Sequence, residues 1–287
     1  MMNEKLSLRE GRRARTLFIL CDYGFLILMM AAMILPLLKL LVSSVDPSAV
    51  GLRLLPRKFS LEAYSLIAKN SYLYLPFLVS VGTTVCGTLT GLLMTSLAAY
   101  VIMQKQMPGN KFFVRMVFVT MLFSGGLIPT YLTIRGIGLM NNYLAVILPV
   151  GLSAYNIMLM KSFFETIPKT LFEAAEIDGC TPVGIFFKIV IPLSKPAIAS
   201  VGLFIAVSLW NNYMSFILYI TNPLMTNFQV KVRELILSDA ISGQALTASD
   251  DMLKSAVVMV VVLPFLMIYP WLQKYFVKGV TLGAVKS

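Results

Sequence analysis

Histidine is absent from this 287-residue sequence, and cysteine and charged residues are scarce. Without histidine, the chain lacks the commonest metal ligand and the usual general base, which disfavours an enzymatic site of its own. The three cysteines, Cys21, Cys86 and Cys180, show no pairing or metal-ligand spacing and lie in or beside apolar segments. We therefore interpret them as small apolar side chains rather than as ligands or redox groups.

Charged residues make up only 13% of the chain, whereas hydrophobic residues make up 58%. Soluble proteins carry roughly 25% charged residues, so this chain has too few polar side chains to cover a surface in water. The composition predicts an integral membrane protein. The net charge of +11 is then attributed to the positive-inside rule and to anionic lipid headgroups, and we expect no nucleic-acid partner.

Six apolar runs are long enough to cross a bilayer as helices, at residues 17–42, 77–103, 112–132, 142–164, 197–221 and 255–276. A spanning helix needs about 20 residues, and the runs lack the alternating pattern of a membrane β-barrel. We therefore predict an all-α integral membrane protein with six transmembrane helices. Residues 1–16 form a cytoplasmic segment in this interpretation, 17–276 the transmembrane domain and 277–287 a cytoplasmic tail.

The distribution of basic residues predicts the orientation. More Lys and Arg residues fall in the segments that are inside if the N-terminus is cytoplasmic, above all in the segment before the first run. Both termini are then expected in the cytoplasm of a bacterial cell, beneath its inner (cytoplasmic) membrane. Lys39 lies inside the first run near its outer end, where its long side chain can extend to the headgroups.

A loop of about 35 residues, which we place at 165–195, separates the fourth and fifth runs and is too long for a simple connection. The positions of its proline and glycine residues predict two short helices. Pro168 suits a first helical position, and Gly179 suits the left-handed residue that ends the helix. A second helix is expected from Pro182, with Thr181 as its N-cap. Helices this short need packing to be stable.

The first of these helices is acidic. Asp178 lies at its C-terminal end, where the helix dipole disfavours an anion by roughly 0.3–1 kcal/mol. This placement indicates a basic partner, and the alternative is an ordinary solvated carboxylate. Gly179 has two compatible interpretations, a helix C-cap and a sharp exit for a docking element.

The pattern Glu173-Ala174-Ala175-x3-Gly179-x9-Ile189-x-Ile191-Pro192 resembles the EAA loop of permease subunits in binding-protein-dependent ABC importers. The usual final motif is Ile-x-Leu-Pro, so Ile191 is a mild departure. The resemblance implies the type I importer permease fold, also called MetI-like. It also implies that loop 165–195 is a coupling loop whose helix docks on an ATPase subunit, through residues that would include Glu173, Ala174, Ala175, Asp178 and Gly179.

Residues 123–131, 138–143, 210–213 and 274–286 resemble the carbohydrate-uptake branch of these permeases, that is, MalG-like and LplC-like subunits. The resemblance implies a sugar or oligosaccharide substrate, a second homologous permease subunit, two ATPase subunits and an extracytoplasmic binding protein. In the maltose-type family the tail reaches between the ATPases, which adds Lys286 to the expected coupling residues. The chain contains no Gly-x4-Gly-Lys-Ser/Thr loop. We therefore expect ATP and Mg²⁺ on the partner ATPases and no cofactor in this chain.

Polar residues inside the apolar runs are candidates for a substrate path, because such residues tend to face a cavity or another helix. The candidates are Trp210, Asn211, Asn212 and Tyr213 in the fifth run and Asn156 in the fourth. Amide groups can pair with sugar hydroxyls, and aromatic rings can stack on pyranose faces. The alternative is hydrogen bonding and packing between helices.

The second run carries weaker signals. Its threonines are better explained by helix packing than by substrate contacts, and its glycines are expected to permit close approach of a neighbouring helix; the residues are Thr83, Thr84, Thr88, Gly82, Gly87 and Gly91.

Three other functions remain open at this stage. An importer for peptides or amino acids would have the same architecture. A channel would need no ATPase. An intramembrane enzyme would require paired carboxylates, a Ser/Lys dyad or a metal site within the membrane, and we find none of these patterns.

Overall fold

The computed structural model describes the backbone of residues 2–48, 53–242 and 248–284, and the side chains of residues 15, 18–48, 53–237, 250–264, 266–268 and 270. Every regular element in these ranges is helical, which confirms the predicted all-α class. The chain forms two units, residues 1–67 with 239–260 and residues 68–238 with 261–287. Lys286 lies outside the described residues, as do most side chains of segments 1–16 and 277–287.

The first unit contains the long helix α1, Met2–Val45, whose segment Phe18–Val45 is long and apolar enough to cross a membrane. A loop leads to α2, Glu62–Lys69. At the start of α2, the Glu62 backbone N–H donates to Ser60 Oγ over 3.2 Å. Tyr64 of α2 donates to Ser44 of α1 at 2.8 Å, which ties the two helices together.

Asp46 organises the loop that follows α1. Its carboxylate accepts hydrogen bonds from the Ser48 backbone N–H at 2.8 Å, the Ser48 hydroxyl at 2.6 Å and the Arg57 backbone N–H at 2.7 Å. The hydroxyl of Ser48, followed by the backbone N–H of Arg57, lowers the pKa of Asp46 from 3.8 to about 2, because these donors favour the ionised carboxylate. The loop is therefore held by a charged group outside the apolar segment.

The second unit contains most of the remaining helices, separated by short breaks. They are α3 Ser71–Met103, α4 Asn110–Leu122, α5 Leu127–Gly136, α6 Leu144–Gly151, α7 Ala154–Phe164, α8 Lys169–Ile177, α9 Pro182–Ile185, a π-helical turn Phe186–Val190, α10 Ile191–Leu193, α11 Lys195–Trp210, α12 Met214–Tyr219, a 3₁₀ turn Pro223–Met225 and α13 Phe228–Ser242. The last helix, α14 Ala248–Ala284, runs through parts of both units.

Helix α3 lies at the centre of the second unit, where it packs against α6, α7 and α11. Glycine permits this closeness at two predicted positions. A Cβ placed on Gly91 would lie 3.0 Å from Gly151 Cα, and one on Gly87 would lie 2.6 Å from Leu209 Cδ1. At Gly82 the prediction is wrong among the described residues, because no described atom outside the neighbouring backbone lies within 4 Å of an added Cβ. Gly82 precedes Gly87 by five residues, whereas Gly91 follows Gly87 by four, and Gly82 is exposed.

The predicted count of six spans is not confirmed. Among the described residues, three helices are long and apolar enough to cross a membrane, and up to five spans exist if each bent pair is one span. The pairs are Leu144–Gly151 with Ala154–Phe164, bent by 47°, and Pro182–Leu193 with Lys195–Trp210, bent by 84°. The predicted span 112–132 is interrupted between α4 and α5, where Gly126 has a φ of 84°.

Candidate substrate path and coupling loop

A cavity of about 1040 Å³ opens between α6, α7, α11 and α14. It brings together three of the five residues predicted for a substrate path, namely Asn156, Trp210 and Asn211. Asn156 is a buried residue of α7, and Trp210 is the last residue of α11 with 5% of its surface exposed. None of the described residues that line the cavity carries a formal charge.

The cavity wall depends on a break in the fifth apolar run. Helix α11 ends at Trp210, and α12 begins at Met214, so residues 211–213 form what we call the α11 break. Asn212 Oδ1 accepts the backbone N–H of Ser215 at 3.1 Å, which caps the new helix. The Trp210 ring meets the edge of Phe77 at a centroid distance of 6.1 Å. The break therefore places Asn211 at the cavity beside a fixed indole.

The other two predicted residues face away from this cavity. The Asn212 backbone carbonyl accepts a hydrogen bond from Asn227 Nδ2 at 2.8 Å, and Asn212 Nδ2 is buried without a hydrogen-bond partner among the described residues. The Tyr213 ring lies 4.7 Å from the guanidinium of Arg233, a cation–π contact. Asn212 and Tyr213 thus connect the α11 break to α13.

Sequence reasoning missed three polar residues of the cavity, Ser153, Tyr155 and Ser208. Tyr155 precedes Asn156 directly, so the adjacent pair was a signal that could have been used. Ser153 follows Gly151 and Leu152, where α6 gives way to α7. Ser208 carries no local signal, because a serine inside an apolar helix is equally compatible with helix packing.

A second cavity, of about 630 Å³, lies between α3, α11 and α14 and has mostly apolar walls that again include Trp210. The threonines behave differently from one another. Thr83 is buried, and its hydroxyl donates to the Val79 carbonyl of its own helix at 2.8 Å. Thr84 and Thr88 line the second cavity, and in the part of the chain that the structure describes their buried hydroxyl oxygens have no hydrogen-bond partner.

The predicted end of the first loop helix is present in α8. Gly179 has a φ of 74°, the left-handed conformation that favours glycine. Its N–H donates to the Glu176 carbonyl at 3.0 Å, and the Cys180 N–H donates to the Ala175 carbonyl at 2.9 Å. This pair of bonds is a Schellman motif. At the other end, Pro168 occupies the N-cap rather than the first helical position, since its ψ is 132°.

One face of α8 packs on its own chain, and the other is open. Ala175 is 6% exposed and belongs to the apolar core around α3, α7 and α11. Glu173, Ala174 and Asp178 are exposed, and Ile177 is 87% exposed. Of the two alanines in the motif, the structure therefore presents only Ala174 on the outer surface.

The second half of the loop is fastened to the end of α3. The Thr181 hydroxyl accepts the Gly184 N–H at 3.1 Å, which confirms the predicted N-cap of α9. Tyr100 of α3 donates to the Pro182 carbonyl at 3.0 Å, and its ring lies 5.2 Å from that of Phe186. The loop is consequently a packed part of the helical core rather than a free connection.

Helix α13 carries a buried cation. Lys231 Nζ lies 2.7 Å from both Glu234 Oε2 and the Tyr72 hydroxyl, and 3.9 Å from the centre of the Tyr72 ring. Burial lowers the pKa of Lys231, but the hydrogen bonds to Glu234 and Tyr72 outweigh it and leave the pKa above that of an ordinary lysine. The ammonium therefore fixes α13 to the first turn of α3.

Comparison with known proteins gives the family. Residues 87–282, more than half of the chain, match the binding-protein-dependent transport system inner membrane component. The polygalacturonan/rhamnogalacturonan transport system permease protein YtcP of Bacillus subtilis (strain 168) is 39% identical over 282 residues, which cover 94% of this chain and 99% of that protein. Protein LplC of the same strain is 36% identical over 288 residues, with 97% and 98% covered.

A solved structure gives the same result at the level of the fold. A chain in the crystal structure of a bacterial ABC transporter involved in the import of the acidic polysaccharide alginate matches with a TM-score of 0.82 and 26% identity, over 92% of this chain and 98% of that chain. The predicted MetI-like permease fold is therefore confirmed. The chain belongs to the family of inner membrane components of binding-protein-dependent transport systems.

Proposed function

We propose that this chain forms, with a second related permease subunit, the translocation path of an ATP-driven importer for a sugar or oligosaccharide. The supporting observation is the cavity lined by Asn156, Asn211, Trp210 and Tyr155. Its amides suit the hydroxyls of a sugar, and its aromatic rings suit the apolar faces of pyranoses. The relatives named for polygalacturonan and alginate transport favour a carbohydrate over a peptide or an amino acid.

The energy comes from elsewhere in the proposed assembly. Two separate ATPase subunits bind ATP and Mg²⁺, and an extracytoplasmic binding protein delivers the substrate. The acidic, exposed face of α8 with Glu173, Ala174, Ile177 and Asp178 docks on one ATPase, while Ala175 holds the helix to its own chain. Lys286 in the tail is a further ATPase contact in this proposal. Both termini lie in the cytoplasm, on the side of the docking face.

Uptake by cells tests the substrate class. A strain that lacks the chain is complemented with it and supplied separately with radiolabelled trigalacturonate, maltotriose and trialanine. Restored uptake of an oligosaccharide, dependent on cellular ATP, is the expected result. Uptake of trialanine alone would contradict the proposal, and uptake without ATP would favour a channel.

Crosslinking tests the docking face. In a cysteine-free background, Ala174→Cys is expected to crosslink to an ATPase subunit in native membranes, because position 174 is exposed. Ala175→Cys is the matched control, since Ala175 is buried in the chain's own core. A crosslink from 175 but not from 174 would contradict the proposed docking geometry.

A further inference from the structure

Asn227 performs two tasks with one side chain. It is 1% exposed and immediately precedes α13. Its Oδ1 accepts the Val230 N–H at 3.1 Å, which caps α13. Its Nδ2 donates to the Asn212 carbonyl at 2.8 Å, across 15 residues of sequence. The amide therefore joins the start of an outer-loop helix to the α11 break.

The Asn212 carbonyl lies between two helices. The Ile217 N–H bonds to the carbonyl of Tyr213, the N-cap of α12, and not to that of Asn212, and a buried carbonyl without a partner is costly. Asn212 lies beyond the end of α11, where the following helix starts only at Met214. Asn227 supplies the missing hydrogen bond and so holds one conformation of the break.

Two further contacts join α13 to the same region. The Phe228 ring meets Phe77 edge-on at 5.6 Å, and Phe77 in turn meets Trp210 at 6.1 Å. The Arg233 guanidinium lies over the Tyr213 ring. Helix α13 therefore contacts the α11 break directly at Tyr213, and it reaches Trp210, on the other side of Asn212, through Phe77 of α3.

Helix α13 is itself anchored to α3. The Phe228 N–H donates to Ser80 Oγ at 2.9 Å, a fully buried hydrogen bond, and Lys231 bonds to Tyr72. An anchored helix can serve as a fixed support, because the group that it presents is held in place from behind. Asn227 presents its amide to the break from such a support.

We propose that Asn227 is a positioning residue for the substrate cavity: its amide fixes the α11 break so that Trp210 and Asn211 keep their places in the cavity wall. The claim about geometry stands on the contacts alone, whereas its consequence for sugar uptake rests on the proposed function. The tests below separate the two.

Fluorescence tests the geometry without a substrate. The chain has two tryptophans, Trp210 and Trp271, so a Trp271→Phe background reports on Trp210 alone. The full-length chain is placed in lipid nanodiscs and quenched with acrylamide. Asn227→Ser keeps a capping oxygen but loses the donor to Asn212. Loss of one buried hydrogen bond changes the population of an open break by roughly two- to ten-fold, and we expect the quenching constant of Trp210 to rise about two-fold or more.

Two matched controls isolate the positioning role. Ser80→Ala removes a buried hydrogen bond at the same helix start but leaves the Asn227 amide in place. Asn222→Ser makes the same substitution at another capping asparagine, whose Oδ1 accepts the Leu224 N–H at 3.0 Å. Asn222→Ser is expected to leave Trp210 quenching unchanged, and Ser80→Ala to raise it less than Asn227→Ser does, because the bond from Lys231 to Tyr72 still anchors α13. An unchanged quenching constant in Asn227→Ser, or an equal rise in both controls, would overturn the inference.

Uptake kinetics add a functional measurement with the complete transporter. With the oligosaccharide that the unmodified chain imports as the probe, Asn227→Ser is expected to raise KM by roughly two- to ten-fold with the chain present in the membrane in normal amount. If the variant fails to accumulate while Ser80→Ala accumulates normally, Asn227 acts in folding and the inference is overturned. If the unmodified chain imports no oligosaccharide, the proposed function fails, and the quenching result still decides the positioning role.

Discussion

The contact between α3 and α6 allows a sharp prediction about packing. At Gly91, an added Cβ would lie 3.0 Å from Gly151 Cα, 3.1 Å from the Gly151 carbonyl oxygen and 3.3 Å from Ile205 Cγ2. Two of these three atoms belong to the backbone, which cannot rotate away as a side chain can. Gly91→Ala must therefore push two helices apart at a point where their backbones touch.

The expected destabilisation by Gly91→Ala follows from a comparison with Gly82, which lies nine positions earlier in the same helix. Replacing a helical glycine by alanine stabilises by roughly 0.5–1 kcal/mol when there is room, and at Gly82 nothing lies within 4 Å of the new Cβ. Overpacking costs about 1–3 kcal/mol. Because the gain in helix propensity is common to both variants, the difference between Gly91→Ala and Gly82→Ala measures the overpacking cost alone.

Thermal unfolding of the purified chain in lipid nanodiscs is the assay. A change of 1 kcal/mol shifts Tm by about 2–4 °C in domains of 150–250 residues. We expect Gly82→Ala to match or exceed the unmodified chain, and Gly91→Ala to fall several degrees below Gly82→Ala. Equal midpoints for the two variants would refute the close approach of α3 and α6.

Three further predictions concern loop residues. Gly179→Val is expected to abolish uptake while the chain still inserts in the membrane, since a left-handed conformation costs a β-branched residue about 1–2 kcal/mol or more. The milder Gly179→Ala is measured beside it. Normal ATP-driven uptake by Gly179→Val would contradict the proposed role of the loop. Asn141→Gly keeps the positive φ of 57° but loses an oxygen that accepts from the Thr221 N–H, the Thr221 hydroxyl and the Asn222 N–H. The Tm of this variant should therefore fall by several degrees, whereas Asn141→Asp should preserve the Tm. The pKa of Asp46 is about 2 in the folded chain, against an ordinary value of 3.8. The stabilising effect of Asp46 is therefore present above pH 4 and is lost as pH falls from 4 towards 2. Over that pH range, the Tm of the unmodified chain should fall more steeply than the Tm of Asp46→Asn.

Local chemistry explains which parts of the coupling loop could be predicted from the sequence. The left-handed Gly179 and the capping Thr181 depend on contacts within about five residues of themselves, and both are present as predicted. Such features follow from backbone sterics and from the unpaired amides of a helix start. The sequence carries all the information that they need.

Tertiary contacts explain what could not be predicted. Gly82, Gly87 and Gly91 have equivalent sequence signals, but only the last two face another helix. Likewise, Ala174 and Ala175 are indistinguishable by composition, and which of them points outward depends on where the core of α3, α7 and α11 lies. A pattern in one segment identifies residues that can pack closely but not the partner that they meet.

The α11 break shows the same limit at the candidate site. The residues Trp210, Asn211, Asn212 and Tyr213 were identified by their polarity inside an apolar run, which predicted one continuous helix through 197–221. The helix instead ends at Trp210. The polar residues therefore marked the position of the break correctly, but they did not predict its geometry. The reason is that the donor that stabilises the break, Asn227, lies in a different loop.

Three contacts of the second unit join α3 to other elements, and this arrangement restricts how the protein can move. Tyr100 near its end bonds to the coupling loop, Gly91 at its middle touches α6, and Ser80 towards its start holds α13. Because tightly packed helices transmit displacement rather than absorb it, we expect α8 and the cavity wall to move with α3 as one body. Adjustment should then concentrate where helical hydrogen bonding is interrupted, for example at residues 123–126, at the junction of α6 and α7 and at the α11 break. On this argument, the hydrogen bond from Asn227 matters because it stiffens an interruption that borders the cavity, as the junction of α6 and α7 at Ser153 also does.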